Sequence, residues 1–277
     1  MFGVILMALG TLMGEANASI AKTEVNAKKE SIYTWGFLNA SLGAVIYAIV
    51  GVATGNFYLN PESFPTLAVR IILELFQSHL TLIALVASER STFSFFRVLT
   101  LPILLLVDIF LGYSLGFSQV AGIVLTVGVI LFLFLKKGLN QKGIWPVAIT
   151  TFIPVITISL YKYHITNFNS IAGEQIVVTL FLAVYFLLMA RIWTKENPIA
   201  FLRKPIFVLQ SGAEGVGAVL EAFAYQFGPA SVILTAKRST SVLWSILAGH
   251  HYFHEHKFGI KLFSAIALLG SLYLLIS

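Results

Sequence analysis

The stretch Ser231-Val-Ile-Leu-Thr-Ala-Lys237-Arg238-Ser-Thr-Ser-Val-Leu-Trp-Ser-Ile-Leu-Ala-Gly-His-His-Tyr252 decides the fold. It is fit to cross a bilayer except at its middle, where two cations stand side by side. Each costs about 2.5–3.5 kcal/mol at the centre of a spanning helix. Such residues persist where they face a protein interior or a wet cavity. There they meet an anion, either a side chain or a ligand. The stretch therefore implies a bundle of spanning helices around a polar site.

The rest of the chain fits that solvent. Of 277 residues, 58% are hydrophobic and 11% charged, with a mean hydropathy of +0.89; a soluble domain carries about 25% charge. The net charge of +6 reports loop orientation rather than affinity for nucleic acid. The lipid bilayer is the expected partner, and nucleic acid is not. The absence of cysteine excludes disulfides and thiolate chemistry. Apolar sequence begins at Met1 with no basic leader and holds Glu15, so the first segment reads as a retained helix.

A spanning helix needs about 20 apolar residues. Ten segments qualify: 1–21, 31–52, 64–87, 92–115, 118–136, 143–162, 171–192, 204–226, 230–252 and 257–276. Short connections between them hold breakers such as Pro61, Pro198 and Gly228-Pro229. The expected fold is an all-α integral membrane protein with ten transmembrane helices in one unit. The chain also looks doubled. Ser19-Ile-Ala-Lys22 recurs 140 positions on as Ser159-Leu-Tyr-Lys162, and Ser94, Gly112 and Gly122 precede Ser231, Gly249 and Gly259 by 137. Residues 1–137 and 143–277 thus read as two five-helix repeats, and an odd helix count makes them inverted. Basic residues gather in the odd-numbered loops, among them Lys22, Lys28, Lys29, Arg90, Lys142 and Lys195. By that bias those loops are cytoplasmic and both termini lie outside.

Polar residues inside the segments form stripes. Arg70, Glu74, Gln77 and Thr81 on the third, and Gln210, Glu214, Gly217 and Glu221 on the eighth, share one spacing and one helix face each. Both faces are expected to point inward; alternatively Arg70 and Glu74 pair along their own helix. Lys237 and Arg238, about 100° apart on a helix, can border one wide cavity. Two readings stand: a structural network with Glu214 or Glu221, or an anion site. In the second, arginine grips a phosphate or carboxylate and lysine supplies a mobile charge. Ser239, Thr240 and Ser241 add hydroxyls, or bond their own backbone. The expected substrate-binding set is Lys237, Arg238, Glu214, Glu221, Glu74, Arg70, Gln77 and Ser241.

Glu15 is the candidate for proton coupling, or else the partner of an intramembrane base. Asp108 and Arg97 have weaker cases, and Arg97 reads as snorkelling to the interface. His250, His251, His254, Glu255 and His256 cluster after the ninth segment, but His251 stands where a metalloprotease order needs glutamate. The cluster reads as a solvated loop. No metal, cofactor or enzymatic activity is expected. Gly10, Gly14, Gly212, Gly215 and Gly217 favour close helix approach.

Tyr225, Gly228-Pro229-Ala230-Ser231, Gly249, Glu255, Gly259 and Gly270 together resemble the second half of EamA-like members of the drug/metabolite transporter superfamily. The first half keeps Gly112, Gly122 and Gly128 but has Gly116-Phe117 where the acidic residue falls. The likeness covers nearly the whole chain. It implies a 5+5 inverted-repeat bundle with a central cavity open to each side in turn, lined by helices one, three, four, six, eight and nine. Within the superfamily, Lys237-Arg238 is similar to the pair that holds phosphate in plastid sugar-phosphate translocators. Glu15 is similar in placement to the first-helix glutamate of small multidrug exporters. The family expectation puts both termini in the cytoplasm, opposite to the loop charges. The expected function is secondary transport of a small anionic or zwitterionic metabolite across the plasma or inner membrane. The alternative is a proton-coupled exporter of cationic or amphipathic compounds centred on Glu15. Protons or a counter-substrate are the coupling partners considered.

Overall fold

The structure, a computed structural model, describes residues 2–103, 116–139, 143–228 and 230–276. Assignments made from sequence at Asp108, Gly112, Lys142 and Pro229 lie outside these residues. All regular structure in the described residues is helical, as hydrocarbon demands of backbone that cannot bond water. The main helices are α1 (Phe2–Asn26), α2 (Ile32–Thr54), α3 (Phe64–Ala87), α4 (Arg90–Arg97), α5 (Phe117–Leu135), α6 (Ile144–Asn167), α7 (Ile171–Met189), α8 (Pro205–Ala224), α9 (Ala230–His251) and α10 (Phe258–Ile276).

Six spans are long and apolar enough to cross a membrane: α1, α2, Pro61–Ala87 including α3, α6, Ile171–Thr194 including α7, and Pro205–Phe227 including α8. Val120–Leu135 and Phe258–Leu274 are shorter apolar runs in α5 and α10. The chain is a multi-pass helical membrane protein. Its outer face is correspondingly greasy, with Val52, Ile72, Phe117 and Leu135 exposed, a surface suited to lipid.

Helix ends follow local chemistry. Ser31 and Ser170 cap α2 and α7 by accepting from Thr34 N and Gly173 N at 3.1 Å each. Gly55 ends α2 in the left-handed region, φ 62°. α1 runs past residue 21 because Lys22 is buried inside the bundle, where its Nζ donates to Ser88 O at the end of α3. Likewise α6 runs to Asn167, with Lys162 Nζ 2.7 Å from Tyr225 O and 3.3 Å from Gly228 O beyond the end of α8. Both lysines meet orphan carbonyls at a helix end. The segment 92–115 is not one unbroken helix. α4 stops at Arg97, and Val98 and Leu99 form a tightened turn bonding Phe95 O and Phe96 O.

α1 packs on α8 and α9, α2 on α7 and α8, α3 on α6, α4 on α6 and α9, and α5 on α10. At the α1–α8 crossing the backbones come close. A Cβ on Gly10 would lie 2.9 Å from Gly217 O, and one on Gly217 would lie 2.8 Å from Gly10 O. Only glycine lets the two backbones touch. This crossing brings the polar faces of α1 and α8 to one centre.

Candidate functional site

A cavity of about 350 Å³ lies in the middle of the bundle. Its polar lining comes from α1 (Thr11, Glu15, Asn17), α2 (Asn39), α3 (Gln77, Thr81), α4 (Arg90, Arg97), α8 (Glu214, Glu221) and α9 (Lys237, Arg238, Ser241). Ser78, Ser94 and Thr179 add hydroxyls, and Phe93, Trp35 and Phe186 are among the aromatic and apolar residues of the wall.

Four cations and three carboxylates face this space, and their pairing is uneven. Arg90 holds Glu15 through two bonds, Nε to Oε1 at 2.9 Å and Nη2 to Oε2 at 2.6 Å. Lys237 pairs with Glu221. Glu214 has no cation within ion-pair reach among the described residues; it accepts from Asn17 Nδ2 at 2.9 Å. Asn17 is oriented in turn by Trp35, whose Nε1 donates to its Oδ1 at 3.2 Å. Arg238 is 3% exposed, yet its only hydrogen bond among the described residues is a 3.4 Å contact with Thr100 Oγ1. Arg97 is half-buried and lies over the Phe93 ring at 5.2 Å, with no carboxylate partner among the described residues. The Nε atoms of Arg97 and Arg238, Thr81 Oγ1 and Asn39 Oδ1 are all buried without a partner among the described residues. Unsatisfied buried polar atoms of this kind are costly.

The structure sorts the residues singled out from sequence. Lys237, Arg238, Glu214, Glu221, Gln77 and Ser241 surround one cavity. Gln77 also accepts from Thr157 Oγ1 at 3.0 Å. Ser239 and Thr240 donate to Thr235 O and Ala236 O of their own helix. Arg70 and Glu74 do not line the cavity, which corrects the single inward stripe on the third segment. The stripe splits at mid-helix. Arg70 turns to Glu174 of α7, with Glu74 only 3.8 Å away as a second partner. Glu174 also meets His164 Nδ1 at 2.9 Å and Asn169 Nδ2 at 3.0 Å, and Tyr161 lies 4.7 Å beneath the guanidinium. Helical spacing gives a face but not the neighbour that face meets. Glu15 is likewise not isolated, because Arg90 holds both of its oxygens.

Arg97 was assigned to the interface from its place near a segment start. At the last residue of α4, directly before the break, it instead lines the cavity. Glu255 was grouped with the histidines but stands apart from them. It accepts from Arg90 N at 2.6 Å and from Ser91, so it caps α4, and it takes Lys261 Nζ at 2.9 Å. Gly249 makes room, since a Cβ there would sit 2.6 Å from the Glu255 carboxylate. His250 stacks on Phe258 with ring centroids 4.4 Å apart.

Beside the cavity, a groove of about 540 Å³ runs between α1 and α9, with Leu12, Ile20 and Leu247 among its apolar walls and Glu15, Ser19 and Glu24 along its floor. Glu15 belongs to both spaces. Compared with known proteins, the chain matches no protein-family model, and no curated protein matches it significantly.

Proposed function

We propose that the protein is a secondary transporter that moves a small anionic or zwitterionic metabolite across a cell membrane by alternating access. The observation that carries this reading is Arg238, buried in the wall of a central membrane cavity with a neutral hydroxyl as its nearest partner. A cation left so in a low-dielectric bundle is strongly attractive to an anion that enters. Lys237, paired with Glu221, becomes a second donor when a ligand displaces that carboxylate.

The architecture within this reading is ten spans in two inverted five-helix repeats, 1–137 and 143–277, of the EamA-like drug/metabolite transporter type. Helix pairing supports it. Exchanging α1–α5 with α6–α10 turns α1–α8 into α6–α3 and α1–α9 into α6–α4, both of which occur. The pairs α2–α7, α4–α9 and α5–α10 map onto themselves. Lys22 and Lys162, 140 positions apart, do the same job at opposite ends. The test is uptake or exchange in liposomes. Arg238→Ala should abolish transport while the protein still folds; normal transport by that variant would sink the proposal.

The groove favours one second reading, a proton-coupled exporter of cationic or amphipathic compounds that enter from the bilayer and reach Glu15. That reading requires resistance phenotypes that depend on Glu15 and survive loss of Arg238. Growth assays with Glu15→Gln and Arg238→Ala separate the two.

A further inference from the structure

The charges that remain after pairing have a pattern of their own. Glu15 with Arg90 and Glu221 with Lys237 cancel. Among the described residues, what is left facing the cavity is Arg97 and Arg238 on the α4–α9 side and Glu214 on the α8 side. The two arginines are neighbours through Thr100, whose Oγ1 lies 2.7 Å from Arg97 O and accepts from Arg238 at 3.4 Å. Among the described residues Glu214 Oε2 is met by the amide of Asn17 alone, which leaves room for a further donor on a carboxylate that accepts up to four.

We infer that the ligand of this cavity carries two negative charges and one ammonium. The negative end, a pair of carboxylates or one phosphate, lies between Arg97 and Arg238. The ammonium donates to Glu214. Such a ligand complements the residual charge of +2 and −1 group by group. Arg97 and Glu214 are then the residues that set specificity, and Arg97 is a binding residue. A cavity of about 350 Å³ sits at the small end of ligand sites, in keeping with a compound of amino-acid size. A simple dianion would leave Glu214 unanswered, and a neutral zwitterion would leave one arginine so. This rests on the transporter reading above.

The test is thermal stabilisation of the purified full-length protein in detergent at neutral pH by four probes: aspartate, phosphoethanolamine, succinate and alanine. Ligands that bind only the folded state raise its melting temperature. Wild type is expected to respond to aspartate or phosphoethanolamine more than to succinate or alanine, and which of the two it prefers separates a carboxylate pair from a phosphate. Arg97→Gln should weaken the preferred probe about tenfold or more, as loss of a charge-assisted contact does, and bring it level with alanine. Glu214→Gln should bring it level with succinate. Empty Arg97→Gln should melt no lower than wild type, because it loses an uncompensated cation. A lower melting point with an intact ligand response would make Arg97 structural and overturn the inference. So would equal responses to succinate and aspartate, or no response to any probe. If succinate were still transported in an Arg238-dependent way without preference for the amine, the charge pattern would fall and the transporter reading would stand.

Discussion

Arg70 and Arg238 are each 3% exposed, and they could hardly be treated more differently. Arg70 lies between two carboxylates and over a tyrosine ring, in a network whose other members are His164 and Asn169. Arg238 has, among the described residues, one weak contact to a hydroxyl. Burial alone therefore does not separate the two arginines; the completeness of their partners does, and on the proposed reading that marks Arg238 as the binding one. A buried charge with every partner supplied holds helices together, here α3, α6 and α7. A buried charge left short is a standing invitation to a ligand.

That contrast can be broken by measurement. The largest effect is expected at Glu174, which is 0% exposed. Glu174→Ala leaves Arg70 with Glu74 at 3.8 Å and takes a carboxylate from His164 and Asn169, and breaking a buried pair costs about 3–5 kcal/mol. Chemical denaturation in detergent should register it; a loss below about 1 kcal/mol would equate the two arginines and remove the distinction.

Next is Glu30, in the connection between α1 and α2. Burial, reinforced by nearby Glu24 and Glu196 and opposed by one bond from Gln210, pushes its carboxyl up to about 8 from 4.5. A raised folded-state value means this contribution to stability is fully present below 4.5 and is lost as pH rises through 8. Wild type should lose on the order of 3 kcal/mol across that window, whereas Glu30→Gln should show a flatter profile. Identical melting profiles for the two proteins from acid to pH 8 would refute it.

Smaller again is Gly249→Ala, whose new methyl would press on the Glu255 carboxylate. Overpacking of this kind costs about 1–3 kcal/mol, and Glu255→Gln in the same background should relieve part of it. The smallest stability change belongs to Arg238→Met, within about 1 kcal/mol of wild type in either direction, despite the expected loss of transport. Melting curves and liposome uptake on the same preparation check both halves of that statement.

Much of the bundle was legible in the chain because hydrocarbon imposes long apolar runs on any helix that crosses it. The ends were less so. Lys22 and Lys162 looked like terminators, but each finds carbonyls inside the bundle that let its helix continue. The gathering of Lys237, Arg238, Glu214 and Glu221 around one space follows from the cost of charge in lipid. Partnerships did not follow, because they join distant positions: Glu15 to Arg90 across 75 residues, and Arg70 to Glu174 across 104. Arg97 has only a weak case from sequence for a local reason: it is the last residue of α4, and the break that follows it leaves no mark in composition.

The Trp35–Asn17–Glu214 chain has a practical consequence. Trp35 is almost fully enclosed, at 1% exposure, and its indole is two hydrogen bonds from a carboxylate of the cavity. On the proposed reading, a ligand that engages Glu214 is expected to shift Asn17, and through it the indole. The emission of Trp35 is therefore a built-in optical gauge of occupancy, readable without a label once Trp145, Trp193 and Trp244 are replaced by phenylalanine.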